Sequence, residues 1–136
     1  MSDAAFALQA AIHARLSADA GLTALLGTGR IHDGPPRAAA LPFVAFGRWR
    51  VRPLDGLAAT ADEHRLDLVV RSAAGGRREA SAIADRVVAA ILEAPLVPDG
   101  HRVASLSLLE RTSGEGRDRR SFEAVAVLRV VTEPVA

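Results

Sequence analysis

The stretch from Asp62 to Pro95 constrains the fold more than any other part of the chain. It opens on D-E-H-R-L-D-L-V-V-R-S, where Leu66, Leu68 and Val70 alternate with Arg65, Asp67 and Arg71, the period of a strand with one buried face. After Gly75-Gly76 the period changes. Between Arg77 and Ala94, the residues Ala80, Ile83, Ala84, Val87, Val88, Ile91 and Leu92 fall on one helical stripe, and Pro95 ends the run. A strand with one dry face, followed directly by a helix with one apolar stripe, predicts a helix lying on a sheet.

The flanks extend this pattern. Ser2 or Asp3 can cap a helix in which Ala5, Phe6, Leu8, Ile12 and Leu16 recur until Gly21, and Leu22 to Leu26 adds one or two turns closed by Gly27. Residues 28–42 read as loop with a short strand near Arg30 to His32, because Pro35, Pro36 and Pro42 forbid regular pairing. Phe43 to Arg52 reads as a strand whose later half alternates Trp49 and Val51 with Arg48, Arg50 and Arg52. Pro53 to Asp62 reads as a long connection between antiparallel strands. P-D-G at 98–100 is a turn signal, and Val103 to Thr112 and Ser121 to Thr132 then form a hairpin joined by S-G-E-G-R-D-R-R. On the last strand Phe122, Ala124, Ala126, Leu128 and Val130 make one face; Glu123, Val125, Val127, Arg129 and Val131 make the other, which is also half apolar. Both faces want cover. The expected fold is α+β: a single domain over 1–136, with a mainly antiparallel sheet of four to five strands and two main helices packed on one face.

Composition excludes several chemistries. The chain has no cysteine, so no disulfide or thiolate metal site is expected, and His13, His32, His64 and His101 lack the paired spacing of a zinc motif. No apolar run approaches the roughly 20 residues of a membrane span, and no signal-peptide pattern opens the sequence, so the expected site of synthesis and assembly is the cytoplasm. All 17 basic residues are arginine, while the formal net charge is only +1, which does not point to nucleic acid. The arginine bias fits either the codon usage of a GC-rich genome or a surface that binds carboxylates and phosphates.

The candidate constellations are weak as catalysts. Glu63-His64 and His32-Asp33 each put an acid beside an imidazole, but adjacent strand residues point to opposite faces, so these read as polar residues of the surface or a strand edge. Ser105 and Ser107 alternate with Leu106 and Leu108 and lack a nucleophile elbow. Gly27-Thr28-Gly29 and Gly75-Gly76 match no phosphate-binding fingerprint. No enzyme activity, metal or cofactor is expected. Two arginine concentrations stand out: Arg48, Arg50 and Arg52 on one strand, and Arg117, Arg119 and Arg120 beside Asp118 in the hairpin loop. Each is either a solvated face or an interaction surface.

The ordered set I-H-D-G-P-P…L-P-F-V, D-E-H-R-L-D-L-V-V-R-S…G-G-R-R-E-A…I-A-D-R-V, D-G-H-R-V-A-S-L and the terminal T-E-P resembles the phage tail-terminator (tail-completion) family, in the version carried by gene transfer agents and related siphophages. The resemblance covers essentially the whole chain. It implies a virion structural protein that forms a hexameric ring at the head-proximal end of the tail tube. That ring stops tube polymerisation and docks the head-tail connector (stopper) protein, and DNA passes through it without sequence-specific binding. It further implies that the loops 53–62 and 113–120 bind neighbours; Leu57, Arg117, Asp118, Arg119 and Arg120, with Arg48, Arg50 and Arg52, are candidates either for the tube or connector interface or for the lining of the channel near DNA. Val125, Val127, Arg129 and Val131 are then the candidate ring-interface strand, lying beside a neighbouring copy. The rival expectation is a nucleic-acid-binding α+β module that uses its surface arginines on phosphate.

Overall fold

The computed structural model describes residues 3–55, 60–73, 77–118 and 120–135. Its elements run α1 (Ala4–Ser17), α2 (Ala20–Leu26), β1 (Ile31–His32), β2 (Phe43–Asp55), β3 (Thr60–Ala73), α3 (Arg77–Leu92), β4 (His101–Glu115) and β5 (Ser121–Pro134). The strands form one sheet in the order β1-β2-β3-β5-β4, parallel only between β1 and β2. The fold is the expected α+β arrangement of a mostly antiparallel sheet with its helices on one face. No helix among the described residues is long and apolar enough to cross a membrane.

Burial follows the side-chain periods. On β3, His64, Leu66, Leu68 and Val70 are buried under the helices, as are Ala124, Ala126, Leu128 and Val130 on β5. α3 supplies Ala80, Ile83, Ala84, Val87, Ala90 and Ile91 to the same core. The stripe is thus rotated slightly from the expected one: Ala90 is inside, while Leu92, in the last residue of the helix, is half exposed. In α1 the buried set is Ala4, Ala7, Leu8, Ile12 and Leu16. Phe6, expected on that stripe, is 70% exposed, because a residue two positions before Leu8 lies about 200° around the helix from it.

Charged side chains join the helices. Asp3 caps α1 by accepting from Ala5 N–H at 3.0 Å. Asp19 caps α2 by accepting from Leu22 N–H at 2.8 Å and also holds Arg86 of α3 through two bonds of 2.8 and 3.0 Å. Burial alone would raise the Asp19 pKa, but the Arg86 bond, the Leu22 amide and the Arg86 charge together hold it below the usual value. Arg15 of α1 reaches the last carbonyls of α3 and the residues after it, donating to Ala90, Ile91, Ala94 and Pro95 at 2.9, 3.3, 2.9 and 3.0 Å. A guanidinium at that end meets both the unsatisfied carbonyls and the negative pole of the helix.

The strands run further than their alternation predicts. β2 continues through Pro53 to Asp55, and β3 begins at Thr60, so most of the expected ten-residue connection is ladder. Beyond its pairing with β1 at Val44 and Ala45, β2 is an edge strand, where a proline costs no ladder bond on its outer side. Likewise β4 extends to Glu115, which shortens the 113–120 link. The P-D-G turn forms as expected, with Gly100 at φ 73 and His101 N–H bonded to Pro98 C=O at 3.1 Å.

Candidate assembly surface

All helices lie on one side of the sheet, so its other side is uncovered in the single chain. Register assigns that face row by row across β2, β3, β5 and β4. Phe43, Arg71, Glu123 and Gly114 form one end row, followed by Ala45, Val69, Val125 and Thr112. Next come Asp67, Val127 and Glu110, with Gly47 and Arg48 at the bulge in β2 where pairing shifts between Phe46 and Trp49. A Cβ at Gly47 would sit 3.0 Å from Val69 Cγ2 and 3.2 Å from Asp67 Cβ, so glycine lets β2 lie close to β3 here without displacing those side chains. Arg50, Arg65, Arg129 and Ser107 follow, and Arg52, Glu63, Val131 and Ser105 complete the set.

The face therefore carries an apolar row around Val69 and Val125, a mixed middle row in which Val127 lies between Asp67 and Glu110, and a mainly basic end. Val69, Val125 and Val127 are only half buried, although no helix covers them. Arg50, Arg65 and Arg129 lie directly opposite one another on three neighbouring strands, about 5 Å apart at the backbone, where like charges repel. One carboxylate offsets part of this charge. Glu63 is bonded by Arg129 Nε at 2.7 Å and Arg52 at 3.2 Å, with only 7% of its side chain exposed. The Arg129 bond is the main reason its pKa falls below the ordinary value; the charges of Arg52, Arg129 and Arg65 add to it, against burial. Arg50 and Arg65 have no ion pair with any described residue. Asp67 is shifted the other way: burial raises its pKa, Glu110 adds to the rise, and Arg48 opposes it.

The expected acid-imidazole pair divides as adjacent strand residues must. Neither member is a surface or strand-edge residue, however, and this corrects the sequence reading. Glu63 belongs to the open face, and His64 is fully buried on the helix side. Trp49 Nε1–H donates to His64 Nδ1 at 3.1 Å, which leaves the proton on Nε2 to bond Thr132 Oγ1 at 2.9 Å. Burial dominates in lowering the His64 pKa; the charges of Asp62 and Asp3 oppose the shift and His101 reinforces it. At the other imidazole, His32 stacks edge-on against Phe43 at 5.6 Å. Among the described residues no group of three or more potential ligands could hold a metal.

The other candidates fall into three places. Arg50 and Arg52 lie on the open face and Arg48 at its bulge. Arg117, Asp118 and Arg120 are exposed in the β4–β5 turn, where Asp118 accepts from Arg120 N–H at 3.0 Å and from Ser121 O–H at 2.9 Å. These two bonds, the Arg120 amide first, lower the Asp118 pKa. Leu57 and Arg119 lie outside the described residues. Val125, Val127, Arg129 and Val131 share the open face, but β5 sits between β3 and β4, so any neighbour must cover this strand from above rather than pair with its edge. The strand ends at Asp55 and Thr60 and those at Glu115 and Ser121 lie at opposite ends of strands some 14 residues long, about 45 Å apart at strand rise. Sequence reasoning missed Arg65 as a member of the arginine row. Its alternation with Leu66 was visible, but its neighbours depend on register.

A helix-backed sheet whose opposite face is broad, partly apolar and charged in rows has the surface character of an assembly module rather than of an enzyme cleft. The chain belongs to the family of tail completion protein gp17, whose model matches residues 10–133. It is similar to a chain from the virion of a native gene transfer agent particle, with 29% identity, a TM-score of 0.87, and 98% of this chain and 99% of that one covered. It also resembles bacteriophage SPP1 gp17 at 20% identity and a TM-score of 0.62 over 98% of this chain and 91% of that one, which speaks for the fold alone. No curated protein sequence matches.

Proposed function

We propose that this protein is part of a phage-like particle, where it forms a hexameric ring at the head-proximal end of the tail tube. The ring stops tube polymerisation and joins the tail to the head-tail connector, and DNA passes through it without sequence-specific contacts. The observation that carries the reading is likeness to a virion chain over the full length of both chains. Physical features of the chain support it. Long strands put the β2–β3 ends, Asp55 and Thr60, at one end of the sheet and the β4–β5 ends, Glu115 and Ser121, at the other, so a protomer standing between tube and connector has a distinct end for each. Arg117 and Arg120 mark one end, and the basic row of the open face lies near the other. The open face, with Val125, Val127, Arg129 and Val131, turns toward a neighbouring copy. No chemical step is assigned to the chain.

The test is deletion of the gene with complementation, read by electron microscopy of particles and by subunit counting at the tube end. Without the protein, tails are expected to be of uncontrolled length and rarely joined to heads; with it, six copies should sit at the head-proximal end. Normal, joined tails in its absence, or another copy number at that level, would refute the reading.

A further inference from the structure

Resting on the ring reading, we infer that the ring closes by a head-to-tail contact in which the arginine row of one copy docks on an acid-rimmed apolar patch around Phe6 and Val97 of the next. A closed ring of this kind needs two different patches on each protomer, on opposite sides and at one height along the axis. The chain carries such a pair.

The first patch is the Arg50-Arg65-Arg129 row, with Arg48 and Arg52 beside it, on the open face. Arg48, Arg50, Arg52, Arg65 and Arg129 face only three carboxylates on these rows, Glu63, Asp67 and Glu110, which leaves a net positive charge. The second lies on the helix side. Phe6 is 70% exposed and Val97 83% exposed, the most exposed large apolar side chains described, and a hollow of about 380 Å³ separates them. Asp99 lines that hollow, and Asp3, Asp33 and Asp62 line the two adjoining ones. In a chain with 17 basic residues, no described arginine lines any of the three. Exposed apolar anchors inside an acidic rim match a surface of half-buried valines bordered by arginines. Asp62 and Arg65 are three residues apart on β3 and face opposite sides of the sheet. Phe6 shares a hollow with Trp49 and Val51, which pair with Leu66 and His64 on either side of Arg65, so the Phe6 end of the second patch lies level with the arginine row along the strands and a rotation with little translation brings the two together.

The absence of cysteine makes the contact directly testable. Arg50→Cys and Val97→Cys are introduced singly and together, and assembled particles are treated with a short bismaleimide crosslinker and run on denaturing gels. The chain with both cysteines is expected to give a ladder ending at the ring's copy number. Mixed particles holding the two single variants should give dimers, and each single variant alone should give none. Ser107→Cys, in the same row, reports with every arginine in place should Arg50→Cys hinder assembly. Homodimers from either single variant would show a two-fold contact and overturn the inference. So would monomers from both double variants in particles whose tails are capped normally, an outcome that leaves the ring reading intact. Duplex DNA binding that falls steeply with salt and is lost in Arg50→Ala/Arg65→Ala, with crosslinks absent, would assign the row to phosphate instead and also overturn it.

Discussion

Replacing His64 by leucine separates a buried polar network from the apolar core around it. His64 is completely buried, and its two ring nitrogens hold Trp49 and Thr132. Leucine keeps much of the volume but orphans an indole N–H and a hydroxyl. Each orphaned group costs about 1–3 kcal/mol when dry. Thr132 is 1% exposed and loses near the upper figure, whereas Trp49 is only half buried and its N–H can reach water, so the sum is about 3 kcal/mol at pH 8. The pH dependence is the sharper signature. Burial lowers the folded pKa of His64 below 6.5, so as pH falls through 6.5 the unfolded chain takes up a proton that the native state refuses. Stability is therefore full above 6.5 and declines toward the folded pKa, by at most about 1.4 kcal/mol per pH unit. Urea unfolding followed by fluorescence of Trp49, the only tryptophan, measures this at pH 8 and pH 5. At pH 5 the carboxylates with lowered pKa values, Asp19, Glu63 and Asp118, remain ionised in both proteins. Asp67 is present in both and cancels in the difference. The gap between wild type and His64→Leu should narrow from pH 8 to pH 5. An unchanged gap, or a variant as stable as wild type at pH 8, would refute the argument.

Val87→Asp puts an unpaired carboxylate where exposure is 0%, at a cost of several kcal/mol against a domain stability of roughly 5–15 kcal/mol, so soluble expression with a native circular dichroism spectrum would contradict the core assignment. Arg15→Met removes the charge that bonds four carbonyls at the end of α3 while keeping an apolar stem; a loss of about 2 kcal/mol is expected in urea unfolding, and no loss would show that water replaces it freely. Changing Arg117, Arg119 and Arg120 together to alanine should leave the protein folded but unable to cap tails if this turn grips tube or connector protein. Normal tail length with altered DNA delivery would put the turn in the channel, and fully normal particles would make it a solvated surface.

Much of the architecture was legible because burial on one side imposes a period. Leu66, Leu68 and Val70 in β3, and Ile83, Val87 and Ile91 in α3, announce their elements and their dry faces without reference to anything else. Caps and turns were equally local: Asp3 begins α1, and Pro98-Asp99-Gly100 makes its turn. Phe6 shows the limit of counting apolar residues, since its angle on the helix rather than its hydrophobicity places it in solvent.

Relations between elements were not legible. Alternation says that Arg50, Arg65 and Arg129 each face away from the core, but only the pairing of β2 with β3 and of β3 with β5 sets them side by side, and a one-residue slip would have dispersed the row. The same pairing buries His64 between Trp49 and Thr132, residues 15 and 68 positions away. It also carries β2 through Pro53, which local propensity reads as an end and an edge strand accepts. Period and turn chemistry act over a few residues and are written in the chain itself. Register, sheet order and the solvent exposure of a face arise from contacts across its whole length, and those are where the candidate assembly surface is made.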